Sequence, residues 1–333
     1  MKKRLTALLL AALLLLCGCG AKAQNTTCFA MGTVCCQTVY GPKELADEGE
    51  KLLFAADSDW SWRKAESQVS RINALAGSFV PVDEQTFMLI ALAKEVAEAS
   101  GGTFDPTLGS VTCLWDFAGE NPSVPAAEDI QKGLAHVDWR GIELDEETKS
   151  VRIRKGQRLD LGGIAKGAAA DKLAGFYTQN GVKSALLNLG GNVYALGTKP
   201  DGSAYVVGVR DPASENGYLC TLEVADKAVV VSGAYERFFE ADGKVYHHIL
   251  DSTTGYPVES ELTSACIVAA QSALADALST AVYVLGAEKG LALAEAYGAD
   301  ALLLTKDGRL IMSEGFEENY HVQWTQGLEY RPD

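Results

Sequence analysis

Residues 160–171 read DLGGIAKGAAAD. A carboxylate, two adjacent glycines and one lysine fall close together, and alanines follow. The pattern predicts a strand ending at Asp160, a turn on Gly162-Gly163, and a helix over about 164–179 closed by Asn180-Gly181. Glycines at such a turn leave main-chain groups uncovered, and the N–H groups of a helix start favour an anion. Lys166 adds a full positive charge. The glycine spacing matches neither the dinucleotide fingerprint nor the P-loop. A tight turn packed beneath a helix would use the same residues, so this stretch alone leaves both readings open.

What surrounds the helix decides the fold class. ALLNLGGNVYALG at 185–197 reads as strand, turn, strand, and YVVGVRDP at 205–212 as one more strand. YLCTLEVADKAVVVSG at 218–233 predicts a hairpin across Asp226-Lys227, and RFFEADGKVYHHILD at 237–251 one across Asp242-Gly243. A last hairpin is expected at Lys306-Asp307-Gly308, after helices over 271–285 and 287–297. Upstream, CFAMGTVCCQTVYG at 28–41 reads as a strand. Helices are expected from Pro42 to about 56, near Ser67–Asn73, from Asp83 to Gly101-Gly102, and over 126–135; the segment 136–159 reads as strand-rich. Directly joined strands beside helices fit an α+β fold of mixed sheets with packed helices better than an alternating βαβ fold.

The 333 residues are 47% apolar and 22% charged, which is enough to bury a core. No internal stretch approaches the roughly 20 apolar residues that cross a bilayer. The N-terminus, MKKRLTALLLAALLLLCGCG, has the basic start, apolar run and small residues of an export signal. Leu16 stands three before Cys19 and Gly18 just before it, as in bacterial lipoprotein processing. Residues 1–18 are therefore expected to be a lipoprotein signal peptide, Cys19 the lipidated residue, 19–27 a tether and 28–333 one domain. This places the protein outside the cytoplasmic membrane, anchored to it or in the periplasm. An ordinary signal cut near Ala21 or Ala23 is the other reading.

The net charge is −15, and loss of Lys2, Lys3 and Arg4 makes it more negative still. So acidic a chain is a poor partner for nucleic acid, and an anionic ligand would need a metal or local dipoles to offset the field. The six cysteines after the anchor, at 28, 35, 36, 113, 220 and 266, form no CxxC pair, which argues against a zinc site. Sequence does not say which of them could form disulfides.

Three further stretches could carry chemistry. SALADALSTAVYVLG puts Asp276 and Thr280 four apart, on one helix face, where a carboxylate and a hydroxyl suit magnesium; a polar helix stripe would look the same. KVYHHILDSTTGYP holds His247 and His248 on a strand, so their side chains point to opposite faces and at most one meets a pocket. Trp60 and Trp62 in WSW point the same way if extended and could stack on a flat ligand or pack in a core.

Taken together, MGT (31–33), ESQVSRIN (66–73), GGTFDPTLG (101–109), DLGGIAKG (160–167), LNLGGNVYALG (187–197), VSGAYERFFE (231–240), HHILDSTTGYPV (247–258) and DALSTA (276–281) occur in an order that resembles the ApbE-type FAD:protein FMN transferases. The resemblance covers nearly the whole mature chain. Asp251-Ser252 stands where the family commonly has Asp-Pro, and Ala168 where it often has an aromatic residue.

The resemblance implies a T-fold-like α+β architecture and a flavin transferase domain. Its members move FMN from FAD onto a threonine or serine of an acceptor protein and release AMP. It implies Mg²⁺ held by Asp276, Thr280 and the Gly163 carbonyl, with Lys166 and Asp160 at the nucleotide. Met31, Trp62, Thr103, Phe104, Asp105 and Leu250 are further expected contacts with flavin or nucleotide. For Trp62 and Phe104 the physical reason is stacking. His248 is the expected base for the attacking hydroxyl. A Mg-dependent FAD pyrophosphatase would use the same residues with water as nucleophile, and a non-catalytic flavin-binding lipoprotein would have no need of Asp276 and Thr280 together. DSTTGY at 251–256 faintly resembles the acceptor motif of the family's targets, but reads as a structural loop.

Overall fold

A nine-stranded sheet carries the molecule. The computed structural model describes residues 22–332 other than 120, 215, 216, 328 and 329, so Cys19 and the expected signal peptide lie outside the described residues. In chain order the elements are β1 (Ala23–Ala30), β2 (Thr33–Tyr40), α1 (Lys43–Trp60), α2 (Gln68–Ala74), β3 (Val80–Pro81), α3 (Glu84–Ala99), α4 (Gly109–Trp115), α5 (Ala127–Leu134), β4 (Glu143–Asp145), β5 (Ser150–Arg152) and α6 (Ala165–Gln179). They continue as β6 (Ala185–Leu189), β7 (Asn192–Leu196), β8 (Tyr205–Arg210), β9 (Tyr218–Val224), β10 (Lys227–Gly233), β11 (Phe238–Ala241), β12 (Lys244–His247) and β13 (Leu262–Ala269). The chain ends with α7 (Ser272–Leu285), α8 (Ala287–Ala296), β14 (Asp300–Thr305), β15 (Arg309–Met312), α9 (Phe316–Asn319), β16 (Gln323–Trp324) and β17 (Arg331–Pro332).

The large sheet runs β1-β2-β6-β7-β10-β13-β14-β15-β17, antiparallel except for the last pair. Its middle strands are buried on both faces. Along β13, Ala265, Ile267 and Ala269 face a core beneath α1, α6, α7 and α8. Cys266 and Val268, pointing the other way, face a second core under the three-stranded sheet β16-β9-β8. β14 divides likewise, with Ala301 and Leu303 on one side and Leu302 and Leu304 on the other. This is the period of two that a pleated strand imposes, and it explains why both strands read as unbroken apolar runs. The α+β class expected from the sequence is the one observed.

The helix starts follow local chemistry. Ser67 Oγ accepts the N–H of Ser70, and Asp83 Oδ1 accepts that of Thr86 at 2.7 Å, so α2 and α3 begin at their caps. α6 covers the expected span to within one residue.

Four local readings are corrected. Residues 28–41 are not one strand but most of a hairpin, because Met31 and Gly32 both take positive φ (54° and 70°) and reverse the chain. Its first strand begins at Ala23, so residues 23–27 of the expected tether are paired in the sheet. β9 and β10 do not form a hairpin across Asp226-Lys227: β9 pairs with β8 and β16, and β10 with β7 and β13. The apolar run Ala228–Val231 needs cover on both faces, which only the middle of the large sheet provides. Asp160 closes no ladder strand. The segment before it is extended, with a single bridge from Arg158 to Leu108, and its N–H bonds the Pro106 carbonyl.

Candidate active site

The ends of these elements enclose a cavity of about 550 Å³. The β1–β2 turn contributes Met31, the exit of α1 Trp62, and the segment after α3 Thr103. The entry to α6 brings Asp160, Gly163 and Lys166, the segment after β12 His248 and Leu250, and one side of α7 Asp276 and Thr280. Residues scattered over 250 positions of sequence thus meet at one site.

Its most constrained corner lies where α6 and α7 touch. The Asp276 side chain is buried, and its Oδ2 accepts the backbone N–H of Gly167 at 2.9 Å. Gly167 lies in the first turn of α6, where backbone N–H groups have no acceptor within the helix. Asp276 supplies the acceptor that this first-turn donor lacks, and the Gly163 carbonyl, just ahead of the helix, takes no described backbone bond. A Cβ on Gly163 would lie 3.6 Å from Thr280 Oγ1, so the turn and the hydroxyl are neighbours. Thr280 Oγ1 has a long contact, 3.5 Å, to Ser232 Oγ, whose closer partner is Ser279 Oγ at 2.8 Å. Asp276, Thr280 and the Gly163 turn line one corner, and between them they offer a carboxylate, a hydroxyl and a main-chain carbonyl. All three are hard oxygen donors, a set that fits Mg²⁺ and not a soft metal. Among the described residues no three His, Cys, Asp or Glu side chains cluster as a metal site, so a cation here would depend on the carbonyl and hydroxyl.

The paired histidines face different ways, but not by the strand alternation expected: His247 is the last residue of β12 and His248 lies in the bend after it. His247 is buried, its Nε2 meets the Val258 carbonyl at 3.2 Å, and its ring stands edge-on to Tyr283. His248 lines the cavity, with Nδ1 3.3 Å from the Arg237 carbonyl. A carbonyl only accepts, so the proton sits on Nδ1 and Nε2 keeps its lone pair. Burial first, then the Arg237 and Lys166 cations, push His248 down to about 3, which keeps the ring neutral.

Asp160 lines the cavity and also holds its own turn. Its Oδ1 accepts the Gly162 N–H and its Oδ2 the Thr112 hydroxyl, both at 2.8 Å. The Trp62 ring carries the Arg63 guanidinium 4.3 Å from its centre, so the expected stacking platform has a cation over it in this state. Trp60 ends α1 and is buried, its Nε1 donating to Thr86 Oγ1, while it still reaches the cavity wall. Leu250 is buried against Val111, Trp115 and Ile130 while reaching the cavity.

A family model described as the ApbE family matches residues 31–303. The chain belongs to the ApbE family. A protein of Treponema pallidum named FAD:protein FMN transferase is 36% identical, over 92% of this chain and 93% of its own. One of Klebsiella pneumoniae with the same name is 39% identical, over 85% and 89%. The crystal structure of an ApbE protein of Thermotoga maritima superposes with a TM-score of 0.84 at 34% identity, covering 89% of this chain and 99% of that one. The apo form of the flavinyl transferase ApbE of Pseudomonas stutzeri gives 0.79 at 32%, covering 90% and 97%.

Two residues expected at the ligand from the ApbE resemblance are not at the cavity wall. Phe104 is buried behind the turn, its ring 3.1 Å from where a Cβ on Gly163 would stand. It supports the turn from beneath and has no face open for stacking. The Asp105 carboxylate accepts the Thr107 N–H and hydroxyl at 2.7 and 2.6 Å and the Trp139 N–H at 3.0 Å. It ties the 101–109 loop to the segment after α5. Burial raises its pKa against the pull of those bonds.

Sequence reasoning singled out neither Gly167 nor Ser232 nor Arg237. A Cβ on Gly167 would fall 2.2 Å from the Ser272 carbonyl oxygen, so this glycine sets the approach of α6 to α7. Arg237 lines the cavity, with its Nη2 3.4 Å from the Gly32 carbonyl. All three lie inside stretches quoted above, but nothing in their local pattern marks them. The DSTTGY loop is structural in its contacts: Asp251 Oδ1 accepts from Thr253 and Thr254, and the Gly255 carbonyl accepts the Trp115 indole N–H at 2.9 Å.

Proposed function

We propose that the protein transfers FMN from FAD to a threonine or serine hydroxyl of an acceptor protein, with release of AMP and with Mg²⁺ as the metal. The observation that carries this reading is the meeting of Gly163, Asp276 and Thr280 at one corner of a cavity that also holds a neutral histidine. The names of the relatives support the same activity.

Mg²⁺, when bound by those three oxygens, would neutralise charge building on the diphosphate. The chain's own residues do the rest. The acceptor hydroxyl oxygen attacks the phosphorus on the FMN side, that phosphorus loses its bond to the bridging oxygen, and AMP departs with the bridging oxygen. The hydroxyl proton passes to His248 Nε2, the atom left with a lone pair by the Arg237 carbonyl contact. Lys166 and Arg237 offset the negative field of an acidic chain where the phosphates lie. Trp62 and Met31 bound the space for the ring systems, and Asp160 holds the turn beneath the nucleotide.

Export and lipid attachment at Cys19 belong to the same proposal. The acceptor would then be an exported flavoprotein that meets the enzyme outside the cytoplasmic membrane.

The test mixes protein, FAD, Mg²⁺ and a candidate acceptor. One covalent FMN on the acceptor per AMP released is expected. FMN and AMP in equal amounts with unlabelled acceptor would replace transfer by hydrolysis, and FAD bound but uncleaved would leave only flavin binding.

A further inference from the structure

Lys166 Nζ stands 3.4 Å from Asp276 Oδ1, on the carboxylate whose other oxygen takes the Gly167 N–H. The Asp276 side chain is 4% exposed and that of Lys166 23%. Water cannot compensate a carboxylate so enclosed, and a buried charge without a partner is costly. In this state the lysine is its counter-ion.

The same oxygen belongs to the corner where Gly163 and Thr280 converge. A divalent cation held there and an ammonium group on the same buried carboxylate would repel each other at close range in a medium of low dielectric. One occupant excludes the other. Lys166 also lines the cavity, so an ammonium that leaves Asp276 has the ligand space to enter.

We propose that Lys166 is a built-in substitute for the metal. It neutralises Asp276 while no cation is bound, and the arriving cation displaces it into the cavity. There it becomes a free donor for a phosphate oxygen. The inference rests on the magnesium site proposed above and adds a consequence. Cation binding arms a second anion-binding group, so metal and dinucleotide bind with positive coupling through an exchange of partners at Asp276.

The test uses Mn²⁺ alone, with free ion followed by electron paramagnetic resonance, and no FAD. Lys166→Met and Lys166→Gln, each checked for a native circular dichroism spectrum and a cooperative melt, are expected to bind Mn²⁺ about tenfold more tightly than the unaltered protein, since no ammonium must be moved. Should one variant fail to fold, the other serves. A second readout uses an amine-reactive reagent and peptide mass mapping. Lys166 is expected to be protected in the metal-free protein and reactive once Mg²⁺ is added. In Asp276→Asn it should be reactive without metal. Unchanged or weaker Mn²⁺ affinity in the variants, or a Lys166 reactivity indifferent to Mg²⁺, would overturn the inference and leave the metal site standing. Failure of the unaltered protein to bind Mn²⁺ would overturn both.

Discussion

Gly167 and Asp276 are joined by a 2.9 Å N–H···O bond that runs from the first turn of α6 to α7. The bond orients the carboxylate and satisfies one of the first-turn N–H groups that a helix leaves without an internal acceptor. Fold and chemistry meet in it, since the two helices can lie this close only because residue 167 has no side chain.

Replacing Gly167 by alanine is therefore expected to do more harm than replacing Gly163. The added carbon at 167 meets backbone at 2.2 Å, whereas at 163 its nearest neighbour is a Phe104 ring carbon at 3.1 Å. Overpacking of this kind costs about 1–3 kcal/mol. Thermal denaturation of Gly167→Ala should show a clear drop in melting temperature with loss of metal binding, and Gly163→Ala a smaller one. Equal melting temperatures would contradict the close approach described here.

Met31 occupies a position that favours glycine or asparagine. Its φ of 54° costs a side chain of this kind about 1–2 kcal/mol, and the residue lines the cavity. Met31→Asn is expected to raise the melting temperature and to weaken FAD binding measured by fluorescence. A variant that is less stable, or that binds FAD as well as before, would show that the strain at Met31 serves no ligand.

His248 and His247 should separate in mutagenesis. His248→Ala is expected to slow FMN transfer by about 10²–10⁴-fold while FAD still binds. His247→Ala should act on stability, because that ring is packed in the core against Tyr283. The pH dependence follows from the burial of His248. With its folded value near 3, below the 6.5 of an unfolded chain, the ring stays neutral in the free enzyme through the physiological range. The profile of kcat/KM should have no acid limb centred near 6.5. The stability that neutral His248 contributes is fully present above the unfolded value and is lost as pH falls from there toward 3. An acid limb near 6.5 that disappears in His248→Ala would contradict this assignment.

Cys19→Ala is expected to abolish incorporation of labelled fatty acid and to move the protein from the membrane to the soluble fraction. Unchanged membrane association would argue against the anchor.

Much of this was legible before the structure. The caps at Ser67 and Asp83 fix helix starts by local bonds, and the i, i+4 pair Asp276 and Thr280 needs only helical geometry to share a face. That only one of His247 and His248 would face the cavity was also anticipated, although the chain leaves β12 at His247 and His248 sits in the bend beyond it. What sequence did not give was partnership. Asp226 takes positive φ, as a hairpin turn would, yet β9 and β10 go to different sheets because β10 has two apolar faces to cover. Phe104 and Asp105 follow a cavity residue directly, but they turn inward, where a ring can support Gly163 and a carboxylate can gather three donors. The glycine that matters most for packing, Gly167, looks in sequence like any small residue in an alanine-rich helix.

The most direct measurement is anomalous scattering from a crystal of the protein grown with Mn²⁺ and FAD. The account predicts one strong peak bonded to the Gly163 carbonyl oxygen, the Asp276 carboxylate and Thr280 Oγ1, beside the diphosphate, with Lys166 turned away from Asp276 toward a phosphate. A peak elsewhere in the cavity, or Lys166 still seated on Asp276 with metal and FAD both bound, would contradict it.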